Sequence, residues 1–193
     1  LSFTRRQFLH GASAMTAGLM LRGAPGLGLG RVALPHGQAA TAIDVTAAPY
    51  RARGDGQTND RAAFQAAIDA AIQQRRPLWI PRPASFYRIE LDNTNRQLDV
   101  PGDLTVVGAG RATTLLRVSV AAPTAGQTYS TFYVHNGCHF QIAELRLEEE
   151  TGDGLPPEEF ALHGFNFEAG PADHPCLIEA VDADGFTHIA LAN

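Results

Sequence analysis

Asp182 and Asp184 are the residues whose spacing points most directly to chemistry. Two positions apart on an extended strand, they would face the same side about 6.5–7 Å apart. A carboxylate pair at that separation can hold calcium, or act as acid and base on a glycosidic bond. His188 follows close by in sequence. The plainer account of the pair is a polar turn before the next strand. Glu148, Glu149, Glu150 and Asp153 form an acidic run that would suit a cation, although adjacent acids usually mark a solvated edge. His135, His139, His163 and His174 lack metal-ligand spacing and are expected at the surface or in turns. Arg117 and Arg146 would meet uronate carboxylates if they project from a groove face; otherwise they are outward polar positions. Gly108-Ala109-Gly110 is too short for a dinucleotide-binding loop.

Composition narrows the field. The 193 residues suit one domain, and 45% hydrophobic with 18% charged residues is ordinary for a soluble globular protein. All 15 basic residues are arginine, which excludes lysine Schiff-base chemistry. Residues 1–42 hold Arg5, Arg6, Arg22 and Arg31 and no acid, so residues 43–193 carry 11 arginines against 20 acids, a net charge of −9. An acidic body argues against nucleic acid or an anionic membrane as partner. Acidic polysaccharide stays open, through a local arginine cluster or a bound cation. Cys138 and Cys176 have no zinc spacing. They would pair in an oxidising compartment, but the simpler expectation is two small buried side chains.

The elements that must position these groups are short. Gly54 and Gly56 bracket a tight turn. Thr58, Asn59 and Asp60 are N-cap residues, with Asp55 capping the turn ahead of them. Phe64, Ala67, Ile68, Ala71 and Ile72 then form one apolar helical stripe, which ends near Arg75-Arg76 before Pro77. Strands are predicted at Leu78–Ile80 and Phe86–Ile89. Beyond residue 90 only short strand patterns follow, at Leu104–Val107, Leu115–Val118, Thr131–Val134, Phe140–Leu147, Phe165–Phe167, Leu177–Val181 and Phe186–Leu191. Ile142, Leu145 and Leu147 are expected to face inward. Asn136 and Asn193 are expected at turns, and Thr151–Pro157 as a protruding loop.

The run from Arg53-Gly54-Asp55-Gly56 to Asn59-Asp60, the Ala-rich helix, Ile80-Pro81 and Tyr87-Arg88-Ile89 resembles the N-terminal signature of the pectate lyase superfamily. Arg51 stands where that family often has Gly, Asn59 replaces the first Asp of its pair, and Pro83-Ala84-Ser85 lacks its Gly. The resemblance implies an all-β fold, a right-handed parallel β-helix whose open end is capped by one N-terminal α-helix. Gly54, Asp55, Gly56 and Asp60 are then structural cap residues. Cys138–Ile142 and Gly185–Ile189 look alike 47 residues apart, which would be two coils of the family's repeat. Residues 43–193 have room for roughly four coils after the cap, and no terminal cap follows the last strand, so the domain is expected to be truncated at its C-terminus. The resemblance further implies action on uronate-containing polysaccharide by hydrolysis, calcium-assisted β-elimination or epimerisation. The rivals are a non-catalytic polysaccharide-binding or surface-adhesion β-helix, or an inactive fragment of a longer enzyme.

Ahead of this domain, Thr4-Arg5-Arg6-Gln7-Phe8-Leu9 opens an uncharged run to Leu21 and reaches Ala40-Thr41-Ala42. It resembles a twin-arginine signal peptide, with His10 where the signal usually has Lys. Residues 1–42 are thus expected to engage the Tat export machinery, leaving a periplasmic or secreted domain with no integral membrane segment.

Overall fold

The computed structural model describes residues 41–150, 161–168, 176–186 and 188–192. Arg5, Arg6, the loop over 151–157, Asp153, His174 and Asn193 lie outside them.

The first strand, β1 (Ile43–Asp44), leads into the glycine turn. Gly54 and Gly56 take φ of 59° and 76°, as that turn requires. The exposed Asp55 carboxylate accepts the backbone N–H groups of Gln57 and Thr58 at 2.9 and 2.7 Å. Asp60 behaves differently from expectation. It occupies the N-cap position of α1 (Arg61–Gln74), but its side chain does not cap that helix. Its buried carboxylate reaches back to the N–H groups of Arg53 and Gly54, at 2.7 and 3.0 Å, and closes the turn. Asn59 instead accepts the Arg61 N–H at 3.0 Å.

These two carboxylates respond oppositely to pH. Donation first from the Thr58 N–H and then from the Gln57 N–H lowers Asp55 from 3.8 to about 2. Burial, outweighing its two donors, raises Asp60 above 3.8. A lowered carboxylate contributes stability above its unfolded value and loses it as pH falls through the folded one. Asp55→Ala is therefore expected to be less stable than the parent above pH 3.8, with the gap closing as pH falls towards about 2. Thermal melts across that window test it; a gap independent of pH would refute it.

Phe64, Ala67, Ile68 and Ala71 of α1 are buried, and Ile72 is partly so. The helix stops at Arg75, whose φ of 52° is left-handed, before Pro77. The elements that follow among the described residues are all strands: β2 (Leu78–Ile80), β3 (Tyr87–Leu91), β4 (Gln97–Val100), β5 (Leu104–Gly108), β6 (Leu115–Val120), β7 (Thr128–Val134), β8 (Phe140–Glu149), β9 (Ala161–Phe167), β10 (Leu177–Asp184) and β11 (His188–Ala192). All pairings are parallel, in two sheets ordered β1-β2-β5-β8-β6-β3, with β10 on β8, and β11-β9-β7-β4. The described residues form a right-handed parallel β-helix of about four coils, with α1 as the one capping helix among them.

The larger sheet is creased. The first residues of β8 pair with β5 and its last with β6, and Glu144 between them has φ of 59°. Ala180 repeats this in β10, with φ of 51°. The crease makes two faces: a first face of β1, β2, β5 and the leading halves of β8 and β10, and a second face of β3, β6 and their trailing halves. The smaller sheet is the third face. The crease also explains why Ile142 and Leu145, three apart, both point inward, along with Leu147.

Register sets the coil length. Leu104 stands opposite Phe140, and Gln141 opposite Leu177, 36 residues on in each case. The likeness at 47 residues is therefore not the coil period: Phe140 starts a first-face strand, whereas His188 starts a third-face strand. Inside, Phe132 stacks on Phe165 at 5.8 Å and both abut Phe140. Each such buried ring is worth about 1.5–3 kcal/mol.

Candidate functional site

The third face carries a cluster of titratable side chains at the C-terminal ends of its strands. Leu98, Val100, Phe132, Val134 and Phe165 point into the core. Strand alternation therefore turns Asp99, Tyr133 and Asn166 away from that core, in register across β4, β7 and β9, with Asn166 itself buried. His135 directly follows β7, and Glu168 directly follows β9. Their backbones bond to the coil beneath, His135 N–H to Val100 O at 3.1 Å and Glu168 N–H to Val134 O at 2.9 Å. This places the His135 imidazole between two carboxylates, with Nε2 2.8 Å from Asp99 Oδ1 and Nδ1 3.5 Å from Glu168 Oε2. Glu168 also accepts the Asn136 N–H at 3.1 Å. The Tyr133 ring meets the His135 ring edge to face, with centroids 5.2 Å apart. His135, Asp99 and Glu168 are all about two-fifths exposed, so a ligand can reach them.

The arrangement can move protons. A neutral imidazole donates from one nitrogen only. The shorter contact gives Nε2–H to Asp99 and leaves the Nδ1 lone pair to accept a proton, while a protonated ring donates to both carboxylates. Burial, then the Glu168 and Asp99 carboxylates, push the Tyr133 phenol above its ordinary 10.0, so it remains a proton donor.

The capping helix sets this site. Gln65 on α1 accepts the Asp99 N–H at 2.8 Å and donates to Asp99 O at 2.9 Å, pairing with the edge of β4 as a strand would. Arg61 donates to Gln97 O at 3.1 Å. Gln65→Ala is expected to cost about 1–2 kcal/mol and to speed amide exchange selectively at Asp99. Unchanged exchange at Asp99 would show that the helix does not hold β4.

Asp182 and Asp184 do share one outward side, as their spacing predicts, but on the second face. Asp182 lies 3.8 Å from Arg111 and opposite Arg146 in register, while Asp184 stands opposite Glu148. His188 belongs to β11 on the third face, paired with His163. Arg117 and Arg146 both pair with Glu148, at 3.1 and 2.6 Å, and Arg117 also covers the Phe86 ring at 4.1 Å. They are outward polar positions. Among the described residues no three His, Cys, Asp or Glu side chains converge to hold a metal ion. Cys138 is buried and Cys176 exposed, both as free thiols, so only the first is the small buried residue expected. No helix among the described residues is long and apolar enough to cross a membrane.

No protein-family model matches the sequence, and no curated protein matches it. Solved structures do. The A-module of the Azotobacter vinelandii mannuronan C-5 epimerase AlgE6 aligns with 78% of this chain at 20% identity and a TM-score of 0.55, and 39% of that module is covered. The Agl-KA catalytic domain aligns with 84% of this chain at 16% identity and a TM-score of 0.39, with 35% of it covered. The chain thus spans under two-fifths of the length of either. The likeness to the epimerase module rests on architecture rather than sequence, and it shows that this chain has the right-handed parallel β-helix fold.

Proposed function

We propose that this is an exported polysaccharide-acting enzyme that abstracts the proton α to a uronate carboxylate. That abstraction is the step shared by C5 epimerisation and β-elimination. The observation that carries the reading is the Asp99–His135–Glu168 ladder with Tyr133 beside it. With the Glu168 carboxylate swung aside from it, Nδ1 of His135 takes the C5 proton, and the electron pair moves into the uronate carboxyl group. Return of a proton from the Tyr133 hydroxyl to the other side of C5 gives the epimer; loss of the C4–O bond instead, with the departing oxygen taking its proton from water, gives an unsaturated end. Hydrolysis fits less well. It needs two carboxyl groups acting on the substrate itself, and here Asp99 and Glu168 are both turned onto one imidazole. A β-helix of the same fold, the epimerase module, is named for C5 epimerisation, which supports the reading without carrying it.

The purified chain should be incubated with polymannuronate and polygalacturonate in deuterated water. Deuterium at C5, or unsaturated ends, is the expected result. New reducing ends with neither would mean hydrolysis, and binding with no turnover would mean a binding module. Export through the twin-arginine motif belongs to the same proposal. Replacing Arg5 and Arg6 by lysine is expected to retain the chain in the cytoplasm, read by cell fractionation; normal export of that variant would refute it.

A further inference from the structure

A cleft of 420 Å³ opens where α1 ends against the first face. Thr105 on β5 and Gln141 on β8 line it, and the two are partners in register. Their outward side chains therefore stand about 4.8 Å apart, one strand spacing. Asp103 lines it as well; its Oδ1 accepts the His139 N–H at 2.8 Å, and its Oδ2 has no partner among the described residues. Ile72 and Pro77 supply apolar surface.

The cation in the cleft is Arg75. Its neighbour Arg76 is committed to the carbonyls of Thr41 and Ala42 and to the Gln74 side chain. Arg75 is exposed, and its guanidinium is unpaired among the described residues. A carboxylate is the group its planar fork recognises best.

The cleft also adjoins the candidate centre. Asp99 and Asp103 are four residues apart, as are His135 and His139, so at most about 14 Å separates each pair of Cα atoms. The His139 backbone N–H donates to the Asp103 carboxylate, whereas His135 meets Asp99 through its ring Nε2.

We propose that this cleft is a subsite for a saccharide unit that bears a carboxylate. Arg75 pairs with the carboxylate, Thr105, Gln141 and Asp103 take hydroxyl groups, and Ile72 with Pro77 meets the C–H face of the ring. The proposal rests on the saccharide reading above for its ligand class, but not on turnover.

The test is calorimetric titration of the intact chain with oligouronates, and with the same oligosaccharides reduced to neutral alcohols. Arg75→Asn is the informative variant, because Asn tolerates the left-handed backbone there and should keep the fold. It is expected to weaken oligouronate binding about tenfold while leaving the neutral oligosaccharide unchanged. The double variant Thr105→Val, Gln141→Leu should weaken both ligands. Equal affinity of parent and Arg75→Asn for oligouronates, or equal affinity of the parent for acidic and neutral ligands, would overturn the subsite. If turnover occurs but Arg75→Asn binds normally, the subsite fails and the enzyme reading stands. If no uronate is turned over but binding depends on Arg75, the reverse holds.

Discussion

His135→Gln is expected to lower kcat on a polyuronate substrate by about 10²–10⁴-fold, the usual worth of a positioned acid or base. The cause is local. Gln can keep a hydrogen bond to Asp99, but it has no ring nitrogen to receive the C5 proton. The fold should survive, because the His135 side chain is about two-fifths exposed and its backbone bond to Val100 is untouched. Tyr133→Phe separates the two proton transfers. It keeps the edge-to-face ring contact and deletes the hydroxyl, so abstraction of the C5 proton should continue while its return slows. Epimer formation would then fall more than β-elimination. Asp99→Asn should also depress kcat, since an amide can present N–H to Nε2 and favour the tautomer with its proton on Nδ1. Unchanged turnover in His135→Gln, with the melt of the parent, would remove this ladder from the mechanism.

Much of the architecture was legible along the chain, and the reasons are local. The glycine turn at Gly54 and Gly56, the apolar stripe of α1 and the run Leu78-Trp79-Ile80 each follow a short-range rule, whereas Asp60 closes that turn instead of capping the helix. β4 was not legible: Gln97-Leu98-Asp99-Val100 is four residues long with only two apolar positions, and its edge is completed by Gln65 and Arg61 of the helix rather than by its own pattern. The coil length was misread for a related reason. Loops such as Ala121–Gln127 extend some coils, so strands in register are 28 to 36 residues apart across most of the solenoid, as between Leu78 and Val106 or Leu104 and Phe140.

The candidate site was missed because its members are far apart in sequence. Two signals were nevertheless present. Tyr133 and His135 have the two-residue spacing that shares one strand face, the same rule that drew attention to Asp182 and Asp184. Asp99 and Asp103 recur as His135 and His139, 36 residues later, close to the 34-residue register of β4 on β7 and equal to the 36-residue register of β5 on β8. A stack of Asp on His at that period is recognisable only once the period is known. The Asp182–Asp184 pair satisfied its spacing rule and landed on a face where arginines stand beside the acids, which spacing alone cannot foresee.

The crease that creates the first two faces is also where the fold is least tolerant. Gly108 ends β5 at the crease, and a Cβ there would lie 2.1 Å from Glu144 O and 2.9 Å from Leu145 Cβ. Neither neighbour can retreat. Glu144 O accepts the Gly110 N–H at 3.0 Å, Glu144 holds the left-handed corner of β8, and Leu145 is fully buried. Gly108→Ala should therefore cost about 3 kcal/mol or more, at the upper end for overpacking. That corresponds to a fall in Tm of roughly 6–12 °C for a domain of this size. Gly126→Ala provides the control. Gly126 has φ of 77° with nothing within 4 Å of the added carbon, so its cost is conformational only, about 1 kcal/mol. If urea unfolding showed the two variants equally destabilised, close approach at the crease would not be what requires glycine at position 108. If Gly108→Ala is far the worse, the spacing between coils at the crease is fixed by backbone against backbone, and the third-face cluster is held in register by a scaffold that cannot slide.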